Sequence, residues 1–388
     1  MTDFDEKVAV CALNRIFGYE PAVTHALMDH FGSALAVFNI DEEELTRLFG
    51  PFSKLRPRIR AGELETSRRE LERLEAEGYR FLPVSDSDFP ALLKECPDSP
   101  AGLYLRSDSS PADIFADRPF ISIVGTRDIS PYGREWCRRI VQTLSDAGTR
   151  PTIVSGLAFG VDVTAHQAAL ECSLPTIGVM ATGIDRVYPA RHSSIAALIA
   201  RTRACALITD YPPDTGAQAI RFIRRNRIIA GLAGSTILVE SKARGGGLIT
   251  ASQAFCYNRN VFALPGRLDD IRSAGCNRLI KEKVAEPVGE LESLVGELGL
   301  GKLSGRKRPM LEEEITRQFA SAVDEETLND LIRVAMCIKS NRGIQVEELC
   351  DELGMDYRSG SGYTSMLECK GIIYIDLLQR CSILYKNV

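Results

Sequence analysis

Apolar residues recur three and four positions apart through most of residues 5–78, in VAVCALNRIF, VTHALMDHFG, EEELTRLF and ELETSRRELERLEAEG. That spacing lays one apolar stripe along a helix, so a helical domain over residues 1–80 is predicted, its segments divided by Gly or Pro. Asp41 ahead of Glu42–Glu44 has the chemistry of an N-cap with acid in the first turn. The next stretch, FLPVSDSDFPALLKECPDSPAGLYLRSD, is rich in Pro, Ser and Asp. It reads as a connecting segment over 81–118.

From Phe120 the pattern changes. Short apolar runs (FISIV, PTIVS, TIGVM, ALIT, TILVE and VFALP) alternate with stretches of helical composition such as GREWCRRIVQTLSDAG. Runs of this kind predict βαβ units and a parallel sheet covered on both faces, hence an α/β, Rossmann-like core over 119–295. Nearly every run ends in a small or glycine-bearing loop: Gly125, Ser155–Gly156, Ala181–Thr182–Gly183, Gly245–Gly247 and Gly266. Open α/β sheets bind ligands at the carboxyl ends of their strands. A Gly- and Lys/Arg-rich stretch over 296–311 reads as a linker. Beyond it, helices are predicted near 311–320, 325–339, 346–353 and 363–370, and GIIYIDLLQRCSILYK looks like two strands. Helices closed by a terminal hairpin suggest a winged-helix unit over 312–388.

Composition narrows the class. With 388 residues, 45% hydrophobic and 26% charged, the chain has the profile of a globular protein of two or three domains. The longest apolar stretch is short and broken by glycines, so no membrane association is expected. MTDFDEK is acidic where a secretory signal would be basic, and a cytoplasmic location is expected. Eleven scattered cysteines without a CxxC suit a reducing compartment and give no metal spacing. No metal or cofactor is expected.

The formal charge of −5 is unevenly divided: −8 over residues 1–118, +8 over 119–288 and −5 over 289–388. A basic middle between acidic flanks implies an anionic partner. Arg221, Arg224, Arg225, Arg227, Lys242 and Arg244 fall within 24 residues, opposed there only by Glu240.

Four motifs carry candidate chemistry. VGTRDISPYG follows a strand and opens a helix, with Ser130 as N-cap and Pro131 at the first helical position. Arg127 beside those helix amides suits a phosphate. SGLAFGVDVTAH sets Asp162 and His166 four apart on one helix face, a spacing open to acid–base work. Without a nucleophile or metal beside them, a capping Asp and a packed His are favoured. FIRRNRIIAGL interleaves arginines with Phe222 and Asn226. Surface arginines there would hold phosphates, and an exposed Phe222 would stack an unpaired base. VESKARGGGLITA brings Lys242, Arg244 and three glycines to a strand end, where successive amides form an anion nest. His25, His30, His192 and Trp136 are expected to be structural.

In order and spacing, VGTR…YG, SGLAFGVDVTAH, Tyr188–Pro189, DYPPDTG, RRNRIIAGL, GGGLITA and LPG…AGCNRLI resemble the DprA/Smf DNA-processing protein family over nearly all of 119–288. The N-terminal helices resemble that family's sterile-alpha-motif or helix-hairpin-helix extension, and the C-terminal unit its winged-helix appendage. The resemblance implies a non-enzymatic homodimer that binds single-stranded DNA, protects it and loads the RecA recombinase in natural transformation. The DNA-contacting positions it implies are Gly125, Arg127, Ser155, Gly156, Phe222, Arg225, Asn226, Arg227, Arg244, Gly246 and Leu248. Phe159, His192 and Gly245–Gly247 depart from the family's usual Arg, Asn and Ser-Gly-Ser. An alternative is a phosphoribohydrolase-like enzyme acting on nucleotide phosphates, but its PGGxGTxxE motif is missing. A winged-helix transcription regulator is a further alternative. It conflicts with Glu347, Glu348, Asp351 and Glu352, which repel duplex phosphate, so the tail reads better as a protein-interaction module.

Overall fold

The computed structural model describes residues 3–18, 20–54, 56–303, 311–341, 343–376 and 379–383. The chain divides into two compact units, Met1–Ser304 and Gly305–Val388.

The first unit is built on one nine-stranded sheet. Its strands are β1 (Tyr79–Pro83), β2 (Gly102–Arg106), β3 (Phe120–Val124), β4 (Thr152–Ser155), β5 (Thr176–Val179), β6 (Ala206–Thr209), β7 (Ser235–Leu238), β8 (Asn260–Ala263) and β9 (Glu286–Pro287). They lie in the order β1-β2-β6-β5-β4-β3-β7-β8-β9. Pairing is parallel from β6 across to β9, while β1–β2 and β2–β6 are antiparallel. From β3 the chain first winds outward through β4, β5 and β6. It then returns to lay β7, β8 and β9 on the other side. The winding direction therefore reverses between β3 and β7, where a crevice opens at the strand ends.

The apolar runs fill both faces because alternate side chains point opposite ways. Ile121, Ile123, Ile153, Ile237 and Phe262 share one core with the helices Pro131–Ser145 and Val161–Glu171. Val124, Val154, Val179, Leu238 and Ala263 share the other with Ala219–Leu232 and Gly246–Cys256. Each fully buried Ile or Val contributes roughly 1.5–3 kcal/mol. The polar intruder Ser122 is satisfied by donating to the Ile229 carbonyl at 2.6 Å.

The segment expected to connect two domains does more than connect. Residues 81–118 carry most of β1 and all of β2, so the sheet begins at Tyr79 rather than near 119. Alternation was masked there because β2 is buried nearly throughout. Nor do the N-terminal helices form a core of their own. Val8, Leu13, Phe17 and Leu74 pack with Phe81, Tyr104, Ile199 and Leu207 from the sheet and its flanking helix. The predicted Asp41 cap is present, accepting from the Glu44 amide at 2.8 Å.

The first part of the expected 296–311 linker is also folded. Leu300 is fully buried, and its carbonyl accepts from the Thr149 amide at 2.9 Å. Residues 304–310 of that linker lie outside the described residues.

The second unit packs the helices Leu311–Phe319, Glu325–Ser340, Val346–Leu353 and Tyr357–Cys369 around Ile315, Leu331, Ile338, Leu349 and Leu367. A small antiparallel sheet of Ile344–Gln345, Arg380–Ile383 and Ile373–Ile375 closes it. The last helix starts six residues before its expected position, because Asp356 caps it through the Ser359 amide at 3.1 Å. Glu347, Glu348, Asp351 and Glu352 are all exposed.

Candidate functional site

A cleft of about 650 Å³ opens outside the carboxyl ends of β3 and β7. Its walls come from the loop after β3 (Gly125–Asp128), the loop after β7 (Ser241–Gly247), the start and inner face of the helix Ala219–Leu232, and Tyr188. Close approach of the two loops requires glycine. A Cβ on Gly125 would stand 2.6 Å from Val161 Cγ2, and one on Gly247 would stand 3.0 Å from Gly125 Cα. On Gly246 a Cβ would meet nothing within 4 Å, so the cleft is open there.

The helix Ala219–Leu232 places Phe222, Arg225, Asn226 and Ile229 on the cleft at helical spacing. Phe222 is half-buried rather than exposed as expected. Arg127 lies over its ring with the guanidinium carbon 5.0 Å from the centroid, and Tyr188 meets it edge-on at 5.4 Å. Asn226 ties this helix to the glycine loop, donating to the Gly246 carbonyl at 3.4 Å.

Two arginines are not where surface phosphate contacts would be. Arg225 is 3% exposed on the cleft floor. It donates to the Gly156 carbonyl at 2.7 Å and to the Val179 carbonyl, joining the ends of β4 and β5. Burial pushes its guanidinium down to about 10, an effect opposed by the nearby carboxylate of Asp162. Arg227 points away from the cleft into a buried ion pair with Asp210, and it also donates to the Asp98 carbonyl. Residues 225 and 227 are two apart, so on a helix they cannot share a face.

Of the other expected positions, Gly125, Arg127, Arg244 and Gly246 line the cleft. Ser155, Gly156 and Leu248 lie behind it. Ser155 donates to the Ile123 carbonyl at 2.6 Å, and Leu248 is core. Gly156 must be glycine, since a Cβ would come within 2.6 Å of the Arg225 guanidinium.

The helix N-termini differ in a way the sequence did not reveal. At Pro131–Ser145 the predicted Ser130 cap is present, accepting from the Gly133 amide at 3.0 Å. Glu240 occupies that end as well, accepting from the Ser130 amide at 2.9 Å and from its hydroxyl. The protein thus supplies its own anion there, and the phosphate expected beside Arg127 has no room at those amides. The helices beginning at Ala219 and Gly246 have no side-chain cap, and both begin at the cleft. Their positive ends attract anions. Exposed Arg127, Lys242 and Arg244 stand beside them, with Asp128 bridging Lys242 at 3.7 Å and Arg272 at 3.2 Å.

Asp162 and His166 form no dyad. Asp162 accepts from the Ala158 amide at 3.3 Å and faces Arg225. His166 is fully buried, with Nδ1 2.7 Å from Thr176 Oγ1. The Thr176 hydroxyl donates to the Ile153 carbonyl, so the imidazole Nδ1–H is the donor in that contact. Burial pushes its pKa down to about 3. Sequence reasoning missed Tyr188 as a cleft residue; an aromatic beside Pro189 in a strand-end loop was the only signal.

A cleft at the reversal point of a mostly parallel sheet, with helix N-termini and glycine loops around it, defines a doubly wound α/β protein with a ligand site at its switch point. A model of the family described as DNA recombination-mediator protein A matches residues 80–299. This is more than half of the sequence, and the chain belongs to that family. It is 36% identical over 224 residues to protein Smf of Escherichia coli, a match covering 57% of this chain and 58% of that one. To the DNA processing protein DprA of Bacillus subtilis it is 35% identical over 222 residues, covering 57% and 72%. The crystal structure of DNA processing protein A from Streptococcus pneumoniae superposes with a TM-score of 0.60 at 25% identity, covering 76% of this chain and 98% of that one. A structure of DNA processing protein A from Helicobacter pylori, described for its single-stranded DNA binding mode, gives 0.50 at 25% identity over 57% and 95%.

Proposed function

We propose that the chain binds single-stranded DNA in the β3–β7 cleft, by adhesion rather than turnover. The observation that carries this is the convergence of Arg127, Lys242, Arg244 and two uncapped helix N-termini around one aromatic ring, Phe222. Phosphates sit on the three rim cations and on the amides of Gly245–Gly247, releasing counterions. A base reaches Phe222 and Tyr188 only when it is unpaired, because a duplex keeps its bases stacked inside and presents phosphate alone. The family's description as a recombination mediator supports the finer reading: the bound strand is protected and handed to RecA recombinase in natural transformation, by a homodimer. The N-terminal helices serve as a sterile-alpha-motif or helix-hairpin-helix extension packed against the sheet. The second unit serves as a winged helix that contacts protein, since its acidic helix repels duplex phosphate.

Fluorescence-anisotropy titrations with single-stranded and duplex oligonucleotides, at several salt concentrations, test this. Single strands should bind more tightly, and Arg244→Ala should weaken binding while reducing the log–log salt slope by about 0.7. Equal affinity for both forms at matched salt would overturn it.

A further inference from the structure

We infer that a second base-binding subsite lies beside the cleft on Phe159, continuing the aromatic surface begun by Phe222 and Tyr188. The inference rests on the single-strand reading above and extends the footprint of that site.

Phe159 is 40% exposed and Tyr188 48% exposed, although both are large apolar rings in loops at strand ends. Each ring packs against a second ring. Tyr188 meets Phe222 edge-on at 5.4 Å, and Phe159 meets His192 edge-on at 4.8 Å. Tyr188 and His192 both lie in the segment between β5 and the helix Ser193–Arg201, so one stretch of chain carries a partner of Phe222 and a partner of Phe159.

The loop bearing Phe159 is fixed on both sides. Toward the cleft, the Val161 amide donates to the Thr126 carbonyl at 3.1 Å. Gly160, at φ +77°, lies so close that a Cβ would stand 2.7 Å from the Arg127 carbonyl carbon. On the far side, His192 Nδ1 is 2.8 Å from the Leu157 carbonyl, which can only accept, so the ring donates there. Leu157 itself holds φ +57°, a strained conformation that persists because its surroundings hold it. Ala158, one residue before Phe159, lines the cleft. The ring therefore sits one residue from the cleft lining, on a loop held by hydrogen bonds on both sides and packed against buried His192.

An aromatic face held open beside a phosphate-binding cleft is suited to the flat face of an unpaired base, without sequence preference. Because Phe159 has no charge, its contact displaces no counterion.

The test compares wild type with Phe159→Ala on three probes: a short oligodeoxythymidine that fills only the Phe222 cleft, a longer one, and an abasic strand of the longer length. For the longer strand the variant should bind roughly 5- to 150-fold more weakly, with the salt slope unchanged. The short and abasic strands should bind wild type and variant alike, and the melting temperatures should agree. Equal weakening on all three probes, or a sharp drop in melting temperature, makes Phe159 a structural residue and overturns the inference. An unchanged affinity for the longer strand, with Arg244→Ala still weakening it, overturns the inference alone. If wild type binds no strand, the single-strand reading falls and the subsite with it.

Discussion

The floor and the rim of the cleft use the same side chain for opposite purposes. On the floor, Arg225 is 3% exposed, and its donors are taken by carbonyls at the ends of β4 and β5. Behind it, Arg227 is committed to Asp210. On the rim, Arg127, Lys242 and Arg244 are exposed on loops. An arginine whose donors are satisfied inside the protein holds the site in shape, whereas one on a loop beside an uncapped helix is available to an incoming anion. The two helix ends repeat the contrast. Glu240 neutralises the start of Pro131–Ser145, while Gly245 leaves the start of Gly246–Cys256 open.

Arg227 separates floor from rim most sharply. Removing it leaves Asp210 buried and unpaired, and Arg227→Ala should lower the unfolding free energy by about 3–5 kcal/mol. DNA affinity per folded molecule should hold. Chemical denaturation paired with binding measures both; a stable variant with weak binding would move Arg227 to the ligand side.

A second effect comes from below the floor. His166 has its folded pKa depressed to about 3 from an ordinary 6.5, so the unfolded chain takes up the proton first. Its contribution to stability is complete above pH 6.5 and is lost as pH falls from there toward 3, at about 1.4 kcal/mol per pH unit. Denaturation midpoints measured over that range should fall with acid, and His166→Gln should flatten the fall. An equal slope in the variant would show that other groups govern it.

The smallest effect belongs to the rim. Asp128 is exposed, and its pairs with Lys242 and Arg272 add little to stability. Asp128→Asn should leave the melting temperature unchanged and tighten single-strand binding a few-fold, because one repelling charge is gone. Weaker binding would mean that Asp128 orders the loop cations rather than competing for them.

Much of this was legible in the residues. The apolar runs after Phe120 announced a parallel sheet, and the glycine loops placed its ligand edge, because backbone geometry and burial impose those patterns locally. Asp41 and Ser130 cap helices as their side chains require. The strands at 79–83 and 102–106 were hidden among turn residues, since β2 is buried nearly throughout and shows no alternation.

What the chain order could not say is which way each charged residue faces once the helices dock. FIRRNRII shows three cations and acids nowhere near. Docking on the sheet then brings Asp162 and Asp210 against two of them from 63 and 17 residues away. Glu240, the lone acid in the basic cluster, turned inward to cap a helix that begins 109 residues earlier. Sequence determined most of the elements, the basic middle and the loops that form the cleft. The tertiary structure alone decided which cations remain for a ligand, because charge pairing and desolvation depend on neighbours in space, and those neighbours are remote along the chain.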